Sequence, residues 1–144
     1  MKCLWLSIVV IGCSGSDDVL EDTGQDVGCG DPSSHDVRVL FEVVDASGNG
    51  VSNLEVRLED RAWEPGTLGS GTTDGNGTGE LLAAGVTDLP NCWGTMLDYV
   101  VVVEDPSAYY AAAEKPVNSY LHGAIDDGSL EADLTSFPIE VSAE

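Results

Sequence analysis

Two stretches of strict alternation dominate what this chain can fold into. In "VRVLFEVV" (37–44), Val37, Val39, Phe41 and Val43 share one face while Arg38 and Glu42 take the other. In "LEVRLED" (54–60), Leu54, Val56 and Leu58 point one way and Glu55, Arg57 and Glu59 the other. A period of two with β-branched residues is the signature of strands covered on one side. Between them lies "DASGNG" (45–50), whose glycines permit the positive φ that a tight turn demands.

The same grammar continues along the chain. "TTDGNGTGE" separates a short strand at 68–73 from another at 78–83. "DYVVVVED" reads as a strand buried on both faces, "SLEADL" as a further strand, and "FPIEVS" as the closing one. About seven short strands between glycine-rich turns predict an all-β chain, a single two-layer β-sandwich over 36–144. A length of 144 residues with 42% hydrophobic side chains fits one domain with a real core. The stretch "DPSAYYAAAEKP" (105–116) reads two ways. Asp105 as N-cap with Pro106 in the first turn and three alanines gives a short helix; a strand carrying Tyr109 or Tyr110 inward is the other reading.

The run 39–60, then 72–82, then 99–103 resembles the carboxypeptidase regulatory-like, or prealbumin-like, β-sandwich family, whose turn motifs are shared by bacterial Ig-like domains. In each, a strand leads to Asp-x-x-Gly, a valine opens the next strand, and Thr-Asp-x-x-Gly precedes another. The resemblance covers most of 37–104 and implies a structural or binding module of surface proteins rather than an activity. Hydroxyisourate hydrolases, the enzymatic prealbumin-like relatives, carry a C-terminal Tyr-Arg-Gly-Ser motif, whereas this sequence closes on "FPIEVSAE".

The opening "MKCLWLSIVVIGCSGSDD" belongs to a different kind of segment. Lys2 precedes an apolar run over 3–11, too short for a spanning helix, followed by small and acidic residues, as in an export signal. Within it, "VIGC" (Val10, Ile11, Gly12, Cys13) resembles the lipobox of bacterial lipoproteins. That resemblance implies a signal peptide over 1–12 cut after Gly12, with the Cys13 thiol diacylated and the new amine usually acylated too. Each buried CH₂ contributes about 0.8 kcal/mol, so several chains on one residue hold a protein to a membrane stably. An ordinary secretory signal cut near Gly15 is the competing reading. Ser14, rather than Asp, after the cysteine implies the outer membrane by analogy with enterobacterial sorting.

Residues 13–35 are rich in acids and glycine and poor in apolar groups, the composition of a flexible acidic tether. Of four cysteines, Cys3 leaves with the signal and Cys13 carries lipid. Cys29 and Cys92 remain, and in an exported chain a disulfide between them is the default. Closing such a loop contributes roughly 4 kcal/mol in the chain-entropy model.

Charge narrows the partners. Against 26 acidic residues stand only Lys2, Arg38, Arg57, Arg61 and Lys115, for a net charge of −21. Nucleic acid, and an anionic membrane surface bound through a basic patch, are disfavoured. The expected partners are the membrane, through the lipid, and envelope proteins or glycans.

Catalytic and metal motifs are sparse. Asp74, Asn76 and Thr78 have the one-three-five spacing of a calcium loop, but the twelfth position is Gly85, and a hairpin turn explains the motif as well. "DASGNG" fails likewise, with Val56 at its twelfth position. His122 in "NSYLHGAIDD" has Tyr120, Asp126 and Asp127 nearby, which could hold a metal or a small ligand, although a surface histidine beside a turn is the simpler reading. Intradiol dioxygenases use a sandwich of this general kind with two tyrosines and two histidines on iron; their paired C-terminal histidines are absent here. Trp63 in "RAWEPG" could stack on a sugar or anchor a partner, or lid the core. The sequence thus predicts a non-catalytic envelope lipoprotein without a cofactor; the alternative is a small ligand- or metal-binding, or catalytic, lipoprotein centred on His122 and the adjacent acids.

Overall fold

In the computed structural model the chain is described over residues 33–62, 65–88, 97–124 and 128–144. Nine strands form: β1 (Ser33–Asp45), β2 (Glu55–Asp60), β3 (Gly66–Thr72), β4 (Thr78–Asp88), β5 (Tyr99–Glu104), β6 (Ala113–Pro116), β7 (Leu121–Ala124), β8 (Ser129–Asp133) and β9 (Ile139–Val141). A 3-10 turn, Asn118–Tyr120, joins β6 to β7. Two sheets result, in the sandwich arrangement that the alternation predicts. One runs β4-β1-β8-β7 with β9 also on β1, and the other β3-β2-β5-β6.

The long β1 organises the first sheet. β4 pairs with it antiparallel, while β8 pairs in parallel with its first half and β9 in parallel with its last three residues. In the second sheet β2 is central and antiparallel to both β3 and β5, with β6 on the far edge of β5.

The core is built from the inward rows of both sheets. Val37, Val39, Phe41 and Val43 are fully buried, as are Val56 and Leu58, with Leu54 close to it. Each such side chain contributes roughly 1.5–3 kcal/mol by leaving water. Phe41 lies opposite Gly79 across β1 and β4. A Cβ on Gly79 would stand 2.4 Å from the Phe41 ring, so the glycine is the socket in which that ring lies. This is an aromatic–glycine cross-strand pair.

β5 is buried on both faces, as "YVVVVE" predicts. Tyr99, Val101 and Val103 face the core. Val100 and Val102 face outward yet are only 4% and 5% exposed. Ion pairs gather around this outer row. Arg57, opposite Val102, bonds both Glu104 oxygens at 2.7 and 2.9 Å. Arg61 reaches across from the end of β2 to both oxygens of Glu114 on β6, at 2.9 and 2.6 Å. Glu59 stands 3.5 Å from Arg57 and 3.4 Å from Arg61. The aliphatic stems of these arginines suit them to shield the valines while their heads stay wet.

Three features differ from the sequence reading. The described residues form nine strands rather than about seven, because the short edge strands β6 and β7 have too few residues to show a period. β1 already includes Ser33, Ser34 and His35, which the sequence reading gives to the tether. Residues 105–116 form neither a helix nor one strand: an Asp105-anchored turn leads into β6. Ala108 in that turn has φ 55, a left-handed conformation through which a helix cannot propagate.

Candidate functional site

The strand directions sort the polar groups to two ends. The end where β1 begins carries the ends of β2 and β4 and the start of β5; the other carries the loops after β1, β3 and β5. β1, with 13 residues, spans about 40 Å from one end to the other.

At the first end three polar side chains are buried together in the row sense. His35 is 2% exposed, Asp60 2% and Tyr99 0%. His35 Nε2 and the Tyr99 hydroxyl share a hydrogen bond of 3.2 Å that links the two sheets. Asp60 lies opposite Tyr99 in the β2–β5 register, and its Oδ1 accepts the Ala62 N–H at 2.8 Å. The sequence reading did not single these residues out. The signal was there: each continues an inward row in phase, His35 with Val37 and Val39, Asp60 with Leu54 to Leu58, and Tyr99 with Val101 and Val103. Their burial closes them to substrate, and the arrangement ties the sheets together where the strands end.

At the opposite end three aspartates each pin a turn. Asp45 Oδ1 accepts the N–H groups of Ser47 and Asn49 at 2.8 and 3.0 Å. Asp74 Oδ1 accepts those of Asn76 and Thr78 at 2.8 and 2.9 Å, and its Oδ2 accepts the Thr78 hydroxyl at 2.9 Å. Asp105 Oδ1 accepts the Ser107 N–H and hydroxyl, and Oδ2 the N–H groups of Tyr109 and Tyr110. These donors hold all three carboxyls below the usual aspartate range, the backbone N–H of Asn49 leading for Asp45, that of Thr78 for Asp74, and the Ser107 hydroxyl for Asp105. Asp74, Asn76 and Thr78, the calcium candidates, thus come together as a self-satisfied turn. The third turn, "DPSAY", is the same device with alanine where the others have glycine.

Beside the third turn is a hollow of about 460 Å³ lined by Ser52, Asn53, Asp105, Ser107, Tyr109 and Tyr110 among others. Tyr109 is 62% exposed, and its ring meets Tyr110 edge-on at a centroid distance of 4.8 Å.

The remaining candidates are dispersed. His122 is exposed on the outer face of the first sheet, opposite Glu131, in a hollow of about 150 Å³ shared with Arg38, Leu40 and Asp133. Tyr120 instead packs on Phe137 at 5.2 Å, with the Lys115 ammonium 5.5 Å from its ring centre. Tyr120 therefore belongs to a different cluster from His122. Asp126 and Asp127 lie outside the described residues, as do Trp63, Cys13, Cys29 and Cys92. Among the described residues, no three His, Cys, Asp or Glu side chains are grouped so as to hold a metal ion, and no helix is long and apolar enough to cross a membrane.

All four basic residues in the described part are engaged. Arg38 bonds Glu80 at 2.7 Å with Glu131 at 3.7 Å, Arg57 and Arg61 bond as above, and Lys115 donates to the carbonyls of Phe137 and Pro138. The arginines lower the carboxyls of Glu80, Glu104 and Glu114, chiefly through hydrogen bonding.

No family model matches the chain, and no curated protein matches it. Among solved structures it is similar to 3-chlorocatechol 1,2-dioxygenase from Rhodococcus opacus 1CP, with 12% identity and a TM-score of 0.48. The likeness covers 83% of this chain and 63% of the dioxygenase, less than two thirds of that enzyme's length. So distant a likeness carries no functional argument.

Proposed function

We infer that this protein is a lipid-anchored component of the cell envelope that presents a non-catalytic β-sandwich as a binding or structural module. The observation that carries this reading is "VIGC", ending a short apolar run and followed by an acidic stretch that leads into β1. Support also comes from the sandwich itself. Among the described residues, several polar side chains are engaged in holding it: aspartates pin turns, arginines bridge strands, and the buried His35 and Tyr99 link the sheets. With acyl chains on Cys13, the rigid loop end would be the part presented away from the membrane. By analogy with enterobacterial sorting, Ser14 after the cysteine favours the outer membrane, and a Cys29–Cys92 disulfide would tie the tether to the body.

Metabolic labelling with an alkyne fatty acid tests the anchor. The wild type takes label and partitions with membranes, whereas Cys13→Ala does neither. An unlabelled wild type in the soluble fraction would remove the reading.

A second reading, a ligand site on His122, has one observation in its favour: the hollow that His122 shares with Arg38, Glu131 and Asp133. Stoichiometric transition metal in the purified protein, lost in His122→Ala, would select it over the first.

A further inference from the structure

We propose that the hollow beside the third aspartate turn binds a neutral saccharide, with a pyranose ring stacked on Tyr109. This rests on the reading of the sandwich as a binding module and assigns its site and ligand class.

The first argument is Tyr109 itself. A large aromatic ring left 62% exposed forfeits burial that would stabilise the fold. Yet its backbone is held from several directions. Its N–H donates to Asp105 Oδ2 at 3.0 Å, and its carbonyl accepts the Glu144 N–H at 3.1 Å. Next to it Tyr110 is bridged to Ala143, and its N–H also binds Asp105. The rings lie at 88° to one another, so Tyr110 buttresses Tyr109. A ring fixed in advance loses little freedom when a ligand lands on it.

The second argument is the lining. The lining includes the hydroxyls of Ser52 and Ser107 and the amide of Asn53; Ser107 Oγ donates to Asp105 and Asn53 Nδ2 donates to Ser52 Oγ, which leaves the Ser52 hydroxyl proton and the Asn53 carbonyl oxygen to donate and accept. An aromatic surface bordered by amide and hydroxyl groups matches a sugar, which has apolar C–H faces and a rim of hydroxyls. The volume of about 460 Å³ falls in the range of small-molecule sites.

The third argument is charge. Among the described residues, Asp105 is the only ionisable acid or base lining the hollow apart from the tyrosines, and its oxygens already accept four hydrogen bonds. That leaves it poorly placed to grip a cation. No lysine or arginine lines the hollow, and a net charge of −21 opposes an anion. A neutral ligand remains. A protein partner fits less well: a specific interface buries about 800 Å² on each side, and the other exposed large apolar side chains among the described residues, Leu82 and Phe137, do not line this hollow.

The test is calorimetric titration of the purified full chain with maltohexaose, cellohexaose and chitohexaose, and with a sulfated hexasaccharide as the charged comparator. At least one neutral hexaose binds; Tyr109→Ala weakens it roughly tenfold or more, while Tyr109→Phe stays within about threefold. Leu82→Ala, exposed on another face, binds as wild type. Thermal unfolding of each variant establishes that it is folded. Binding that is unaffected by Tyr109→Ala would remove this hollow while leaving a saccharide-binding module in place. Binding of the sulfated sugar alone, or of no neutral sugar, would overturn the proposal, and the labelling of Cys13 would still decide the anchoring independently. Tyr109-dependent capture of an envelope protein, without sugar binding, would overturn the saccharide assignment too.

Discussion

Three glycines at the loop end separate two physical effects that usually come together. Gly48 has φ +80 but open space where a Cβ would go. Gly50 has no left-handed φ, yet its Cβ would lie 1.8 Å from the Asn76 carbonyl oxygen and 2.5 Å from its carbon. Gly77 has both: φ +81, and a Cβ at 2.4 Å from Val43 O, 2.6 Å from Val51 N and 2.7 Å from Gly50 Cα. Gly48→Ala therefore carries only the left-handed penalty, about 1–2 kcal/mol. Gly50→Ala meets backbone, which cannot rotate aside. The loops after β1 and β3 must separate, straining the bonds between them, Val43 N–H to Gly77 O (2.8 Å) and Asn53 N–H to Thr73 O (3.2 Å). Overpacking at about 1–3 kcal/mol and about 1 kcal/mol for each bond weakened give roughly 3–5 kcal/mol. Gly77→Ala costs at least as much. The double variant Gly50→Ala/Gly77→Ala costs less than the sum, because the first separation makes room for the second methyl. Urea unfolding followed by circular dichroism measures each value. Gly50→Ala within about 1 kcal/mol of wild type, or less harmful than Gly48→Ala, would refute the close-approach argument.

Other expectations follow from the same geometry. Ala108→Gly relieves a left-handed alanine and raises stability by about 0.5–1 kcal/mol, read as an upward shift in the urea midpoint. Phe41→Ala lowers stability by about 3–5 kcal/mol and uncovers the backbone at Gly79, so its amide loses hydrogen-exchange protection. Asp45, Asp74, Asp105 and Asp133 all have folded-state values depressed below the ordinary 3.8. Their contribution is complete above that value and is lost as pH falls through the lower folded values. Melting temperature therefore drops below about pH 4, and less steeply in Asp74→Asn. His122→Ala on its exposed strand changes unfolding free energy by no more than about 0.5 kcal/mol.

Much of the sandwich was legible because its inner rows are long. Val37 to Val43 and Leu54 to Leu58 each give three or four apolar residues in phase, enough to define strand and face together. β5 was legible through the opposite pattern, an unbroken valine run. What did not show were features set by partners distant in sequence. β6 and β7 have four residues each and become strands only by lying along β5 and β8. The parallel pairing of β8 and β9 with β1 has no local signature at all. His35 and Asp60 were overlooked because a polar residue at the end of an apolar row reads as the exit from a strand. Here each row runs one step further, and the polar side chains cap the core with hydrogen bonds in place of packing.

The candidate binding end was hidden by a single substitution of type. Asp45 and Asp74 open turns with glycine three residues later, and that spacing made them visible. Asp105 opens the same turn with Ala108 in the glycine's place, so the stretch read as helix or strand. An alanine held at φ 55 costs the fold something that glycine would not. What holds it there is the network around it: the Ala108 N–H donates to Asp105 O at 2.9 Å, and the Asp105 carboxyl accepts the N–H of Ser107 before it and those of Tyr109 and Tyr110 after it. The same contacts that force the strain also fix the exposed Tyr109. Relief by Ala108→Gly should therefore stabilise the fold while loosening the ring, and saccharide affinity should fall slightly as stability rises. A variant gaining both would show that the rigidity of this turn serves the fold alone.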